Sequence, residues 1–163
     1  MYTELLKEFR EKNLLTEYVQ QTPEFIKSEL REVLTATSIE HRIEEMCDVC
    51  VLCENAIAQL GGEFDALSPH IEPDANASIA AAVTDCYVFV RAVERNPQQC
   101  YFENIILIMK EAIEASGYNF IKSMVETSYK ILSREGAINP NTKKWEKYQV
   151  QNNLYTPDYS TCK

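Results

Sequence analysis

The sequence predicts an all-α protein: an antiparallel helix bundle with a central acidic helical hairpin and a largely irregular C-terminal tail. Three observations predict it. Only 4 of the 163 residues are glycine, the residue type that, with proline, interrupts helices. Apolar residues recur at helical spacing over long stretches. Two acidic pairs, Glu29 with Glu32 and Glu45 with Asp48, flank a turn at Ala36-Thr37-Ser38.

The length suits one domain, residues 1–163, with a real core. Composition is that of a globular protein, 45% hydrophobic and 25% charged. The net charge of −9 leaves no basic patch to track a phosphodiester backbone, so no nucleic-acid polymer is expected as partner. A triphosphate remains compatible with this charge if metal ions neutralise the contact. The opening MYTELLKEFREKN carries charges throughout and holds no apolar signal core, so no secretory signal is expected. No apolar run is long enough for a membrane span. Three of the six cysteines fall within one helical stretch, and a chain this size needs no disulfide staples, which points to free thiols in a reducing cytoplasm.

A first helix is expected from residue 2 to about 19, on the recurrence of Tyr2, Leu5, Leu6, Phe9, Leu14, Leu15 and Tyr18. Thr22-Pro23-Glu24 reads as a helix start, with Thr22 as N-cap and Pro23 in the first turn. The helix it opens carries Phe25, Ile26, Leu30, Val33 and Leu34 as its apolar set. Thr37 followed by Glu40 resembles a capping box and opens the next helix. That helix runs to about Leu60 and stops at Gly61-Gly62. Its second half, MCDVCVLCENAIAQL, is apolar almost all round, as in a central buried helix. Residues 61–77 hold two Gly and two Pro and read as the longest loop and the most mobile segment. Helices are expected over about 77–95, from Asn96-Pro97 to Ser116, and over about 119–133, with Gly117 and Gly136 as stops. The tail, 137–163, is polar and holds the only Trp.

Three-residue spacing places each acidic pair on one helix face. The numbers of Glu32 and Glu45 have the same sum as those of Glu29 and Asp48, the relation that facing residues of an antiparallel hairpin obey. Both pairs therefore meet at one level. Four converging carboxylates repel unless a cation sits between them. Asp48, embedded among apolar residues, needs a partner, and a shared metal is the simplest one. An all-oxygen donor set suits Mg²⁺, with Mn²⁺ as a substitute. A di-iron bundle needs Glu-x-x-His, whereas His41 and His70 follow Ser38 and Leu67 at that spacing. Cys47, Cys50 and Cys53 form C-x₂-C-x₂-C, but an iron–sulfur run needs a fourth Cys before Pro and position 57 is Ile. These thiols read as buried and structural.

The spacing Glu29-x-x-Glu32, twelve residues, Glu45-x-x-Asp48 resembles the E-x-x-E … E-x-x-D motif of the all-α nucleoside triphosphate pyrophosphohydrolases, the MazG-like superfamily. Downstream, Thr127-Ser128-Tyr129-Lys130, Lys144-Trp145-Glu146-Lys147 and Tyr155-Thr156-Pro157-Asp158 resemble the last helix and tail of phage-type MazG-like proteins. The resemblance implies hydrolysis of a nucleoside triphosphate to the monophosphate and pyrophosphate. It also implies a homodimer or homotetramer, and the host cytoplasm if the protein is phage-encoded. The tail similarity favours a purine deoxynucleotide, dGTP or dATP; dUTP, dCTP and phosphoribosyl-ATP are the alternatives within the superfamily.

Under this reading Glu29, Glu32, Glu45 and Asp48 hold the metal, and Glu29 or Glu32 can instead serve as general base. Lys130, Arg134, Lys143, Lys144 and Lys147 are the cations available to the leaving pyrophosphate. Trp145, Tyr148 and Tyr155 can stack on a base or pin the tail, and Asp158 can accept from a base amino group. A helical interaction module without catalysis, keeping the hairpin as scaffold, is the reading from outside the enzymes. The hairpin is apolar and the helices are few, so its remaining face is expected to be buried on a second copy.

Overall fold

The computed structural model describes residues 1–64, 66, 78–142 and 144–163. Six helices and one two-stranded hairpin make up its regular structure, an all-α bundle as expected. The predicted loop 61–77 falls mostly outside the described residues.

Helix α1 spans Tyr2–Lys12 and buries Tyr2, Leu6 and Phe9. It ends seven residues before the expected boundary. The amide of Leu15 donates to Arg10 O at 2.9 Å and that of Leu14 to Glu11 O at 3.3 Å, the bonds of a Schellman end. Leu14 occupies its left-handed position, φ 56°, where glycine is usual. Leucine carries no signal for such a stop, so apolar periodicity overran it. A Cβ in this region costs roughly 1–2 kcal/mol, and glycine gives back about 0.5–1 kcal/mol in unfolded-state entropy. Leu14 is 72% exposed, so little packing is lost on replacement. Leu14→Gly is therefore expected to stabilise the chain by about 0.5–1 kcal/mol, read as a higher urea midpoint at unchanged slope.

Helix α2 spans Thr22–Thr35 with Gln21 at its N-cap, so the start lies one residue before the expected Thr22. The Gln21 carbonyl accepts the amides of Glu24 and Phe25, and Thr22 is already helical. Ala36 is extended and stops the helix. Ser38, rather than Thr37, caps α3 (Ile39–Gln59), its hydroxyl accepting from the His41 amide. Gly61, at φ +81°, closes α3 through a second Schellman end, with Gly62 N–H donating to Ile57 O. The chain reverses over residues 36–38, and α2 and α3 form the expected hairpin.

Helices α4 (Ile79–Arg95), α5 (Gln99–Ala115) and α6 (Phe120–Leu132) complete the bundle. Helix α3 packs against α2, α5, α6 and α1; α4 covers α2 and α5, and α1 lies along α6. The core is continuous through Leu6, Ile26, Met46, Phe102, Ile106 and Phe120. All six cysteines are free, and all but Cys100 are buried. Burial raises the thiols of Cys47, Cys50 and Cys53, which keeps them protonated and inert. Helix α3 is mostly enclosed by its own chain, while Leu34 of α2 is exposed on the hairpin. Among the described residues no helix is long and apolar enough to cross a membrane.

The tail is more ordered than expected. Strand β1 (Gly136–Ile138) pairs antiparallel with β2 (Trp145–Lys147), and a 3₁₀ turn spans Tyr159–Cys162. Gly136 opens β1 and does not stop α6, which ends at Leu132 with Ser133 as its cap. A Cβ at Gly136 would run into the Trp145 ring and the Glu146 carbonyl oxygen, so this glycine serves close packing. Trp145 ties the hairpin to α1. Its Nε1 donates to Asn13 Oδ1 at 2.7 Å, and its ring meets Phe9 edge-on with centroids 5.2 Å apart. Tyr159 and Thr127 share a hydroxyl bond of 2.7 Å that fastens the last turn to α6.

Candidate metal centre and adjoining cavity

The buried stripe of α2 is Ile26, Leu30 and Val33. Glu29 and Glu32 flank that stripe and lean toward α3 at its edge. Glu45 lies between Ile43 and Met46 of α3 and is 6% exposed. Carboxylate oxygens from Glu29, Glu32 and Glu45 all fall within 4.8 Å of one another. Ligand oxygens of an octahedral Mg²⁺ at about 2.0–2.1 Å lie roughly 3–4 Å apart. Small side-chain rotations would therefore close the triad on a cation. His41 braces the site from one turn earlier on α3, with Nε2 2.8 Å from Glu45 Oε1.

The fourth expected ligand, Asp48, stands behind the triad and outside that group. Its Oδ2 lies 3.3 Å from Lys130 Nζ and 3.8 Å from Arg134 Nη2, both on or just after α6. Its Oδ1 is buried and has no hydrogen-bond partner among the described residues. The partner required of Asp48 is thus a pair of cations, with one oxygen left over. Lys130 also bonds Glu44. Burial alone would pull the Lys130 ammonium down, but Asp48 and Glu44 outweigh it and hold it above its ordinary value.

Electrostatics show the strain of this cluster. Burial, then the Asp48 charge, then contacts with Glu45 and Glu32 push the Glu29 carboxyl from 4.5 up to about 8. Burial raises Glu45 too, against bonds from Glu29 and His41 that pull it down. A donor set made only of oxygens and a carboxyl that resists ionising together fit a hard divalent cation.

The cluster predicts a pH profile. In the unfolded chain Glu29 titrates near its ordinary value, and in the folded chain near 8. Between the two the folded state binds more protons, so stability falls as pH rises. Melting of the metal-free protein is expected to drop by several degrees from pH 5 to pH 8, and Mg²⁺ is expected to restore much of the loss at pH 8. A flat profile in chelator would remove the carboxylate cluster as its cause.

A cavity of about 380 Å³ adjoins Glu29. Phe9, Phe25, Val51 and Leu52 give it apolar walls, and Arg134 and Lys144 contribute positive charge. Lys144 Nζ rests 4.3 Å from the centre of the Phe25 ring. A second cleft, about 390 Å³, lies at the start of α3 between Glu40, His41, Glu44 and Asp158. Its acidic lining repels phosphate, so the first cavity is the better one for an anionic ligand.

The expected substrate contacts divide accordingly. Lys144 and Trp145 line the first cavity, and Lys130 reaches the acidic cluster. Trp145 also pins the tail, its indole N–H being taken by Asn13. Tyr155 and Asp158 stand elsewhere: the Tyr155 hydroxyl donates to Glu126 Oε2 at 2.7 Å and the Asp158 amide to the same oxygen at 3.0 Å. Asp158 Oδ1 in turn caps the 3₁₀ turn, accepting from Ser160 N and Oγ. Lys147 is exposed on β2, opposite Gly136, and Tyr148 is exposed beyond it. Neither Lys147, Tyr155 nor Asp158 lines the cavity beside Glu29. Lys143 and His70 lie outside the described residues. Sequence reasoning missed Phe25, Asn55 and Gln59 as cavity residues. Asn55 and Gln59 carried a signal, being polar residues one turn apart in the mostly apolar second half of α3.

Comparison of the chain with protein-family models, with curated proteins and with solved structures finds no match.

Proposed function

We propose that this chain hydrolyses a nucleoside triphosphate between its α and β phosphates, releasing the monophosphate and pyrophosphate. The observation that carries the reading is the triad of Glu29, Glu32 and Glu45 beside a cavity edged by Arg134 and Lys144. Glu29, Glu32 and Glu45 would hold Mg²⁺, or Mn²⁺ in its place, with Asp48 adding negative charge from behind, and such an ion would supply neutralisation of phosphate charge and a more acidic water. Arg134 and Lys144 draw the phosphate chain toward the triad, and the apolar walls take the nucleoside. Water oxygen adds to the α phosphorus as its bond to the bridging oxygen breaks. The pyrophosphate leaves with that electron pair, and the water's proton passes to a carboxylate, Glu29 or Glu32.

A purine deoxynucleotide, dGTP or dATP, is the proposed substrate on the tail similarity. A cytoplasmic location is proposed on the free thiols. A homodimer or homotetramer is proposed on the superfamily resemblance. Pyrophosphate release from a panel of dNTPs, NTPs and phosphoribosyl-ATP, with Mg²⁺, with Mn²⁺ and with chelator, tests the reading. Metal-dependent release from a purine dNTP is expected. Release from dUTP, dCTP or phosphoribosyl-ATP instead would keep the chemistry and change the substrate. Silence across the panel would leave the hairpin as the scaffold of an interaction module.

A further inference from the structure

We infer that Asn55 reads the base in the cavity beside Glu29, that Arg10 sets its orientation, and that the pair selects a 6-oxopurine over adenine. The inference rests on the pyrophosphohydrolase reading and sharpens its substrate. Asn55 lies on α3 and lines that cavity. On its other side it meets Arg10 of α1, whose Nη1 donates to Asn55 Oδ1 at 2.9 Å. A side-chain amide can in general be turned either way, but here chemistry removes the choice. A guanidinium has donors and no acceptor, so the atom facing Arg10 must be the oxygen. The NH₂ group is then the one Asn55 offers to the cavity, and among the described residues it has no protein partner.

One turn along the same face, Gln59 is oriented in the complementary sense. Its Nε2 points to Leu15 O, a long contact of 3.5 Å, which leaves Oε1 as an acceptor with no partner among the described residues. Gln59 lines the cavity too. A donor followed by an acceptor matches the edge of guanine, where O6 accepts and N1–H donates. Adenine carries the opposite order, an amino donor and then a ring acceptor. Bound with its phosphates at the triad, adenine would set its amino group against the Asn55 NH₂ and leave both donors unpaired. An unpaired buried donor is worth about ten- to hundredfold in affinity.

The test measures kcat and KM for dGTP and dATP with Mg²⁺ in the wild type, Asn55→Asp and Arg10→Met. The wild type is expected to favour dGTP by about tenfold or more in kcat/KM. Asn55→Asp places an acceptor where the donor was, and should erase or invert that preference. Arg10→Met removes the anchor at similar length and lets the amide turn. It should narrow the preference through KM for dGTP more than through kcat, as expected of a positioning residue and not of a merely structural one. Melting curves establish that each variant is folded, and either variant alone can decide the matter. Equal or better use of dATP by the wild type, or an unchanged ratio in a folded Asn55→Asp, would overturn the inference and leave the hydrolase reading standing. No turnover and no binding of any nucleotide would overturn both.

Discussion

Replacing Glu29 by Gln is expected to lower metal-dependent pyrophosphate release by at least about a hundredfold while making the metal-free protein more stable. The two effects share one cause. Glu29 sits partly buried against Asp48, Glu45 and Glu32, and its carboxyl is pushed up to about 8 because a negative charge there is costly. An amide keeps the shape and removes the charge. Discounted for partial exposure, the relief at pH 8 is about 1 kcal/mol, or roughly 2–4 °C in melting temperature for a domain of this size. Stabilisation by Mg²⁺ is expected to shrink in the same variant, since an amide is a poorer ligand and the site's charge has fallen. Activity assays and melting curves at pH 8, with and without Mg²⁺, read all three effects. A protein that merely scaffolds a partner would show the gain in stability and have no turnover to lose. A fall in metal-free stability would show instead that Glu29 makes favourable contacts outweighing the repulsion, and the cluster would no longer count as strained.

Much of this arrangement is legible in the residues, and the illegible parts share a reason. The helix stops at Gly61 and Gly117 depend on the local freedom of a residue without a side chain, so they show in a local reading, whereas the start of α3 falls at Ser38, one residue past the Thr37 that the local reading favours. The meeting of the two acidic pairs is nearly as local, because a short turn fixes the hairpin's register. Leu14 escaped because the left-handed position was filled without its usual glycine. Gly136 misled because its reason is the Trp145 ring, a contact made across the β hairpin. The sequence offers Lys130 to substrate, yet it meets Glu44 and Asp48 on a helix more than eighty positions earlier. Such pairings depend on how α6 docks against α3, and neither helix records the other in its own pattern.

The docking of α6 makes Lys130 the second residue whose loss should be felt strongly. Its side chain is 14% exposed and that of Asp48 12%, so the pair is screened little by solvent. Lys130→Met keeps the stem and removes the charge. Among the described residues Asp48 is then left with Arg134 at 3.8 Å as its only cation, and its Oδ1 is already without a partner. Breaking a buried pair costs about 3–5 kcal/mol; with Arg134 remaining, a loss of about 2–3 kcal/mol is expected in urea unfolding at neutral pH. Metal binding should move the other way. Lys130 supplies part of the neutralisation that a divalent cation would otherwise supply, so its removal deepens the negative potential and tightens Mg²⁺ affinity. Asp48→Asn in the same chain distinguishes this account from simple damage to packing. If the charge pair is responsible, the double variant regains most of the lost stability, with a coupling of about 1–3 kcal/mol, and the tighter Mg²⁺ binding disappears with the Asp48 charge. If the two substitutions simply add, the ion pair contributes nothing of its own. Lys130 then acts on the site only through substrate, and a drop in turnover without any change in metal affinity is the result that would establish it.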